Sequence, residues 1–295
     1  MSFVIFSGSL LLFFTSLKLF GKEIYVFTET KFLKWIQKLE KNPILFFVLG
    51  VVITSILQSS SLTICLLLIL IHNKTIPINN SIYYIMGSNI GTCVTAYLFT
   101  FPIEYFIFIS FLIFICTCIW NKKYRKLVFL ISILFLSIYL MKYSSNFISE
   151  NIIIEILTKY NTYTYALFIS TIFTGIFQSS SIFITMIQSF LYQNLIDLNL
   201  SFYMILGSNI GTSITSIIAG LSLDKDSRYC SYINLVFNVI GCLIMVIALY
   251  CFPIMKIFSI YKNNLPLTLA NFNLFSNIIN VVGVLPLISI LKKRL

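Results

Sequence analysis

Two short polar blocks interrupt apolar sequence that has no packing need of them. Gln58-Ser59-Ser60-Ser61 falls within the stretch Pro43 to Ile71, and Gln178-Ser179-Ser180-Ser181 within Tyr163 to Leu191. Each block supplies an amide and three hydroxyls. Their oxygens can ligate a hard cation such as sodium, which prefers oxygen donors. Their donors, with the free N–H groups at the start of a following helix, can bind an oxyanion. Ser59, Ser60, Ser61, Ser179, Ser180 and Ser181 are thus candidate ligands of an anion, and Gln58, Gln178, Ser60 and Ser180 of sodium. A second block follows each first one: Gly87-Ser88-Asn89-Ile90-Gly91-Thr92, and Gly207-Ser208-Asn209-Ile210-Gly211-Thr212. Here the glycines suit close helix packing. Asn89 and Asn209 add amides for the anion, and Thr92 and Thr212 add hydroxyls for sodium. Hydrogen bonding between helices would account for one isolated block. Two identical pairs in one frame point to a shared site.

The frame can be counted. A shift of 120 positions aligns Gln58 with Gln178 and Gly87 with Gly207 without a gap. Over Thr54–Thr95 against Thr174–Thr215, 19 of 42 positions are identical. Apolar composition alone gives some matches, but not two intact polar blocks at one offset, so the chain is a duplication. Each polar break lies roughly 14 residues into its stretch, and each arm falls short of the ~20 residues a crossing helix needs. A re-entrant helical hairpin, with the turn near mid-membrane, fits that length. Irregular backbone at that depth is tolerated only inside protein or against a wet cavity.

The remaining elements must hold those hairpins in a bilayer. Of the 295 residues, 59% are apolar and 10% charged, and the mean hydropathy is +0.97. A soluble domain needs far more charge on its surface. The apolar runs are continuous rather than alternating, which favours helices over a barrel. Apolar spans run over about 3–19, 81–101, 103–120, 127–141, 201–221, 229–252 and 265–291, and the first reads as a helix rather than a signal peptide. Amphipathic segments lie around Lys31–Lys41 and Phe147–Lys159. The expected architecture is an all-α polytopic membrane protein with two repeats, 1–126 and 127–264, followed by a final helix and basic end, 265–295. With the basic clusters placed inside, each half has three crossings and one hairpin. An odd number of crossings inverts the second repeat relative to the first, a plan shared by many secondary transporters.

The net charge is +11. Because the basic residues sit in loops and at the ends, this charge reads as topology and contact with anionic lipid, not as nucleic-acid binding. The seven cysteines have no metal-ligand spacing and there is one histidine, His72, so the cysteines read as packing residues. Glu104 reads as interfacial, and Asp224, Asp226 and Arg228 as a solvated turn. No carboxylate stands out within a span, and no P-loop, HExxH or nucleophile elbow is present. The expectation is a transport protein, not an enzyme, with no tightly bound cofactor.

At the doubled blocks the chain resembles the sodium-dependent phosphate cotransporters, the type II sodium–phosphate symporters and their bacterial relatives. That family carries a duplicated QSSS followed by a GxNIGT block, and the resemblance covers about residues 30 to 290. It implies inverted repeats, a multi-pass protein of the cell membrane, sodium-coupled uptake of inorganic phosphate, and a central site shared by both turns. The family often adds His-x-x-Phe-Asn after each repeat. The corresponding positions here, Asn234–Asn238 and Asn273–Asn277, lack the histidines. Alternatives from the residues themselves are symport of another small anion, an ion channel, or a membrane scaffold.

Overall fold

A computed structural model describes residues 36–100, 103–120, 124–145, 162–259 and 264–287, together with scattered positions between 5 and 23. The amphipathic segment Phe147–Lys159, residues 31–35 of the one around Lys31, Lys122 and Lys123, and the basic end at Lys292 lie outside the described residues. Among the described residues the fold is all-helical. Its helices are α1 (Pro43–Leu57), α2 (Ser60–His72), α3 (Ser81–Gly91), α4 (Cys93–Leu98), α5 (Ile103–Trp120), α6 (Arg125–Ser145), α7 (Tyr163–Phe177), α8 (Ser180–Tyr192), α9 (Leu198–Leu221), α10 (Lys225–Cys251), α11 (Ile254–Ser259) and α12 (Leu265–Val284).

Local chemistry sets the boundaries. Asn42 caps α1, accepting from the Ile44 and Leu45 N–H groups, and Pro43 takes the first helical position, where no N–H is needed. Asn264 caps α12 in the same way, accepting from Leu267. Asp224 caps α10 by accepting from the Ser227 N–H at 3.2 Å. A hydrogen bond from the Ser227 side chain does most to hold the Asp224 carboxyl below the usual carboxylate range, and the Ser227 N–H and His72, whose Nδ1 lies 3.5 Å away, add to it. The expected solvated turn is therefore a cap that also meets the end of α2. Arg228 turns back to donate to the Leu221 and Leu223 carbonyls.

α9, α10 and α12 are long and apolar enough to cross a membrane. α1, at 15 residues, and α2, at 13, are not, since they measure about 22 Å and 20 Å against a hydrocarbon core of about 30 Å. The same holds for α7 and α8. Large apolar side chains stay exposed in stripes: Val48, Val52 and Ile56 on α1, and Phe168, Ile172 and Ile176 on α7. The second stripe is the first shifted by 120 positions. Such continuous apolar faces suit lipid rather than water, and the protein is a membrane protein.

Inside, α1 packs along α3, and α7 along α9. Glycines allow the approach. A Cβ at Gly91 would lie 2.7 Å from the Thr54 Cβ and the Val51 carbonyl oxygen, and one at Gly211 would meet Thr174 and Thr171 at nearly the same distances. A Cβ at Gly87 would overlap the Phe47 carbonyl, and one at Gly207 the Leu167 carbonyl and Ser170 Oγ. Two apolar clusters result, and both halves contribute to each. Ile233 and Phe237 of α10 join the cluster built on α1, α2 and α3, whereas Ala96 of α4 joins the one built on α7, α8 and α9.

Gly207→Ala is expected to lower the stability of the purified protein by about 1–3 kcal/mol, because the backbone of α7 cannot move aside cheaply. Gly8→Ala, where nothing lies within 4 Å of the new carbon, is expected to leave the melting temperature unchanged. Thermal unfolding in detergent checks both.

Candidate solute-binding site

The polar blocks break their helices in the same way. α1 ends at Gln58 and α7 at Gln178, both in the left-handed region with φ 55° and φ 56°. Ser59 and Ser179 then swing to extended backbone, φ −150° and −152°, and cap the next helix. Ser59 Oγ accepts from the Leu62 N–H at 3.3 Å and Ser179 Oγ from Ile182 at 3.5 Å. A left-handed glutamine is costly, about 1–2 kcal/mol, and it occurs twice at the same offset. Lys74 and Asn194, the other left-handed non-glycine residues described, also differ by 120.

These turns meet. Ser181 Oγ, in the second turn, donates to the Gln58 carbonyl of the first at 3.2 Å. Thr95 of α4 lies between them: its hydroxyl donates to Gln58 Oε1 and sits 3.2 Å from Ser181 Oγ. The Gln58 amide also donates back to the Ser55 carbonyl. Ser60 and Ser180, at the first positions of α2 and α8, are both buried at 4% exposure. The opening N–H groups of these helices have no carbonyl one turn back to receive them. The junction thus gathers hydroxyls, carbonyls and two helix N-termini in one buried place.

The halves are not equivalent there. Gln58 is buried and bonded, whereas Gln178 is exposed. Ser61 Oγ and Thr215 Oγ1, which correspond to Ser181 and Thr95, are buried without a partner. One sequence pattern therefore occupies two environments.

The second blocks play a more mixed part. Asn89 donates to the Ile85 carbonyl and Thr92 to the Asn89 carbonyl, both within their own helix segment. Thr212 repeats the latter with Asn209 at 2.7 Å. Asn209 lines a cavity between α9, α10 and α12. The side-chain link from these blocks to the broken helices comes instead from Ser88 and Ser208, to which the sequence assigns no role, beside the Gly207 carbonyl, which accepts from Thr171 at 3.0 Å. Thr54, Thr63 and Ser88 close a triangle of hydroxyls at 2.9, 2.9 and 3.0 Å across α1, α2 and α3. In the second copy Thr174 donates to Ser208 at 3.1 Å, while Phe183 stands where the first copy has Thr63. Thr54, Ser88 and Thr95 each recur at the offset of 120, and that recurrence was the signal that could have found them.

Fold and site together define an all-helical membrane protein with a doubled, uncharged polar centre. A family model described as Na+/Pi-cotransporter matches residues 12–143 and 147–263, and the chain belongs to that family. It is 26% identical over 242 residues to "Uncharacterized protein YqeW" of Bacillus subtilis (strain 168), covering 80% of this chain and 79% of that protein. No solved structure matches.

Because only Gln58 is bonded, the two equivalent substitutions separate. Gln58→Ala is expected to cost about 1–2 kcal/mol more stability than Gln178→Ala, the left-handed backbone cost being common to both. Paired unfolding curves of the two variants read the difference.

Proposed function

We propose that the protein is a sodium-coupled symporter that imports inorganic phosphate by alternating access. The observation that carries the reading is the contact of the two QSSS turns through Ser181, Gln58 and Thr95. Membership of the Na+/Pi-cotransporter family supports the solute and the coupling ion. In this reading the two helix pairs are re-entrant hairpins in inverted repeats, 1–126 and 127–264, with the last helix and basic end closing one membrane domain in the cell membrane.

Phosphate docks between the turns. The hydroxyls of Ser59–Ser61 and Ser179–Ser181, the opening N–H groups of α2 and α8, and the amides of Asn89 and Asn209 supply its donors. Helix N-termini suit anions because their N–H groups and dipoles point outward. No Lys or Arg occurs between Lys41 and Lys74, between Lys74 and Lys122, or between Lys159 and Lys225. An anion in this place therefore needs a cation that travels with it. Sodium supplies the missing charge, held by oxygens of Gln58, Gln178, Ser60, Ser180, Thr92 and Thr212. Each net positive charge moved inward through 100 mV gains about 2.3 kcal/mol, enough to drive accumulation. The unequal surroundings of Gln58 and Gln178 fit a site that opens by turns, with the closed contact passing from one half to the other. Symport of a different small anion uses the same architecture, and competition for uptake separates it from phosphate.

Proteoliposomes carrying an inward sodium gradient are expected to take up radiolabelled phosphate. Uptake should fall to the level of a potassium control in Gln58→Ala and Gln178→Ala. Equal uptake with and without sodium would remove the coupling; no uptake by folded protein would remove phosphate as the solute.

A further inference from the structure

The cavity lined by Asn209 holds more polar oxygen than its neighbours satisfy. It has room for about one water-sized occupant, and its walls include Asn209, Asn238, Gly241, Ser276, Asn277 and Asn280. They come from α9, α10 and α12, the helices among the described residues that are long and apolar enough to cross a membrane. Asn238 is 1% exposed and Asn280 is 5% exposed, and the side-chain oxygen of each has no partner. The Asn238 amide is fixed by donating to Ser213 Oγ at 2.8 Å, so its free oxygen is not a matter of a loose side chain. Asn277 is held by donating to the Asn273 carbonyl at 2.9 Å.

The space is built by sequence. α10 carries Asn234, Asn238 and Gly241; α12 carries Asn273, Asn277 and Asn280 at the same spacing. Where α12 has its third asparagine, α10 has glycine. A Cβ on Gly241 would fall on the Asn280 amide group. The glycine makes the room in which that amide stands.

We infer that this cavity is a monovalent-cation site, with sodium its expected occupant. Unpaired amide oxygens on residues that line a water-sized space among membrane-crossing helices are what a dehydrated cation requires. The lining side chains carry no carboxylate. Hard divalent ions favour charged oxygens, whereas neutral amide and hydroxyl oxygens match a single charge. The inference rests on the sodium-coupled reading and adds to it a cation place built on α10 and α12, which shares Asn209 with the phosphate site and is lined by neither Ser60 nor Ser180.

The test is thermal unfolding of the full-length protein in detergent, without phosphate, titrated with sodium against choline at constant ionic strength. A ligand that binds only the folded state raises the melting temperature in a saturable way. Sodium is expected to stabilise the wild type. Asn280→Ala and Gly241→Ala are each expected to raise the half-saturating sodium concentration about tenfold or more. Asn280→Asp, nearly the same shape with an added charge, is expected to lower it and to bring a response to calcium. Unchanged half-saturation in both Asn280 variants, or no sodium response in the wild type, overturns the site and leaves a buried water as its occupant. If phosphate uptake fails while the Asn280-dependent sodium response stands, the phosphate reading falls and this site survives. Sodium-driven uptake with an unaltered sodium dependence in the Asn280 variants removes this site alone.

Discussion

A helix broken inside an apolar bundle leaves carbonyls at the end of one arm and N–H groups at the start of the next, with no water to receive them. The two breaks at Gln58 and Gln178 are the constraint on which the rest of this structure depends. Serine caps satisfy part of the debt locally, through Ser59 and Ser179. The remainder is met across the molecule, where Ser181 donates to the Gln58 carbonyl. For those turns to meet, α1 must lie close on α3 and α7 on α9, and the glycines at 87, 91, 207 and 211 permit it. Each half also has to send apolar side chains into the other's cluster, as Phe237 and Ala96 do.

Much of this was legible in the residues. Polar blocks inside apolar runs can be recognised without any structure, and an exact offset of 120 ties the copies together. The breaks at Gln58 and Gln178 fall where those blocks sit. Isolated hydroxyls were harder to see. Thr54 and Thr95 lie in largely apolar sequence and Ser88 inside the second block, and a Ser or Thr in such places commonly just bonds to its own helix, as Thr92 does. Only three-dimensional packing distinguishes the two cases. The inequality of Gln58 and Gln178 was not legible in the QSSS blocks, which are identical, because the difference arises from which neighbours close around each. Asp224 looked like a solvated turn because its capping role depends on where α10 begins.

The stretches of sequence that form the turns carry no Lys or Arg, and this gives the proposed mechanism its physical sense. A fixed Lys or Arg would hold phosphate tightly and would have to remain in the membrane when the anion left. A mobile cation supplies the charge on loading and departs with the solute. Neutral oxygens at the turns and at the Asn238–Asn280 cavity are chemically suited to that exchange, since uncharged ligands release an ion more readily than a fixed opposite charge does. Coupling then follows from electrostatics in a medium of low dielectric constant, where the anion and its cation are each far less favourable alone than together.

The central claim is that two turns make one site. Equilibrium binding of radiolabelled phosphate to the purified protein, with and without sodium, tests it most directly when stoichiometry is read for the wild type, Ser60→Ala and Ser180→Ala. The account predicts one phosphate per chain, bound only with sodium, and lost in either variant. Two phosphates per chain, with one retained when either serine is removed, would mean that each turn binds on its own, and would contradict it.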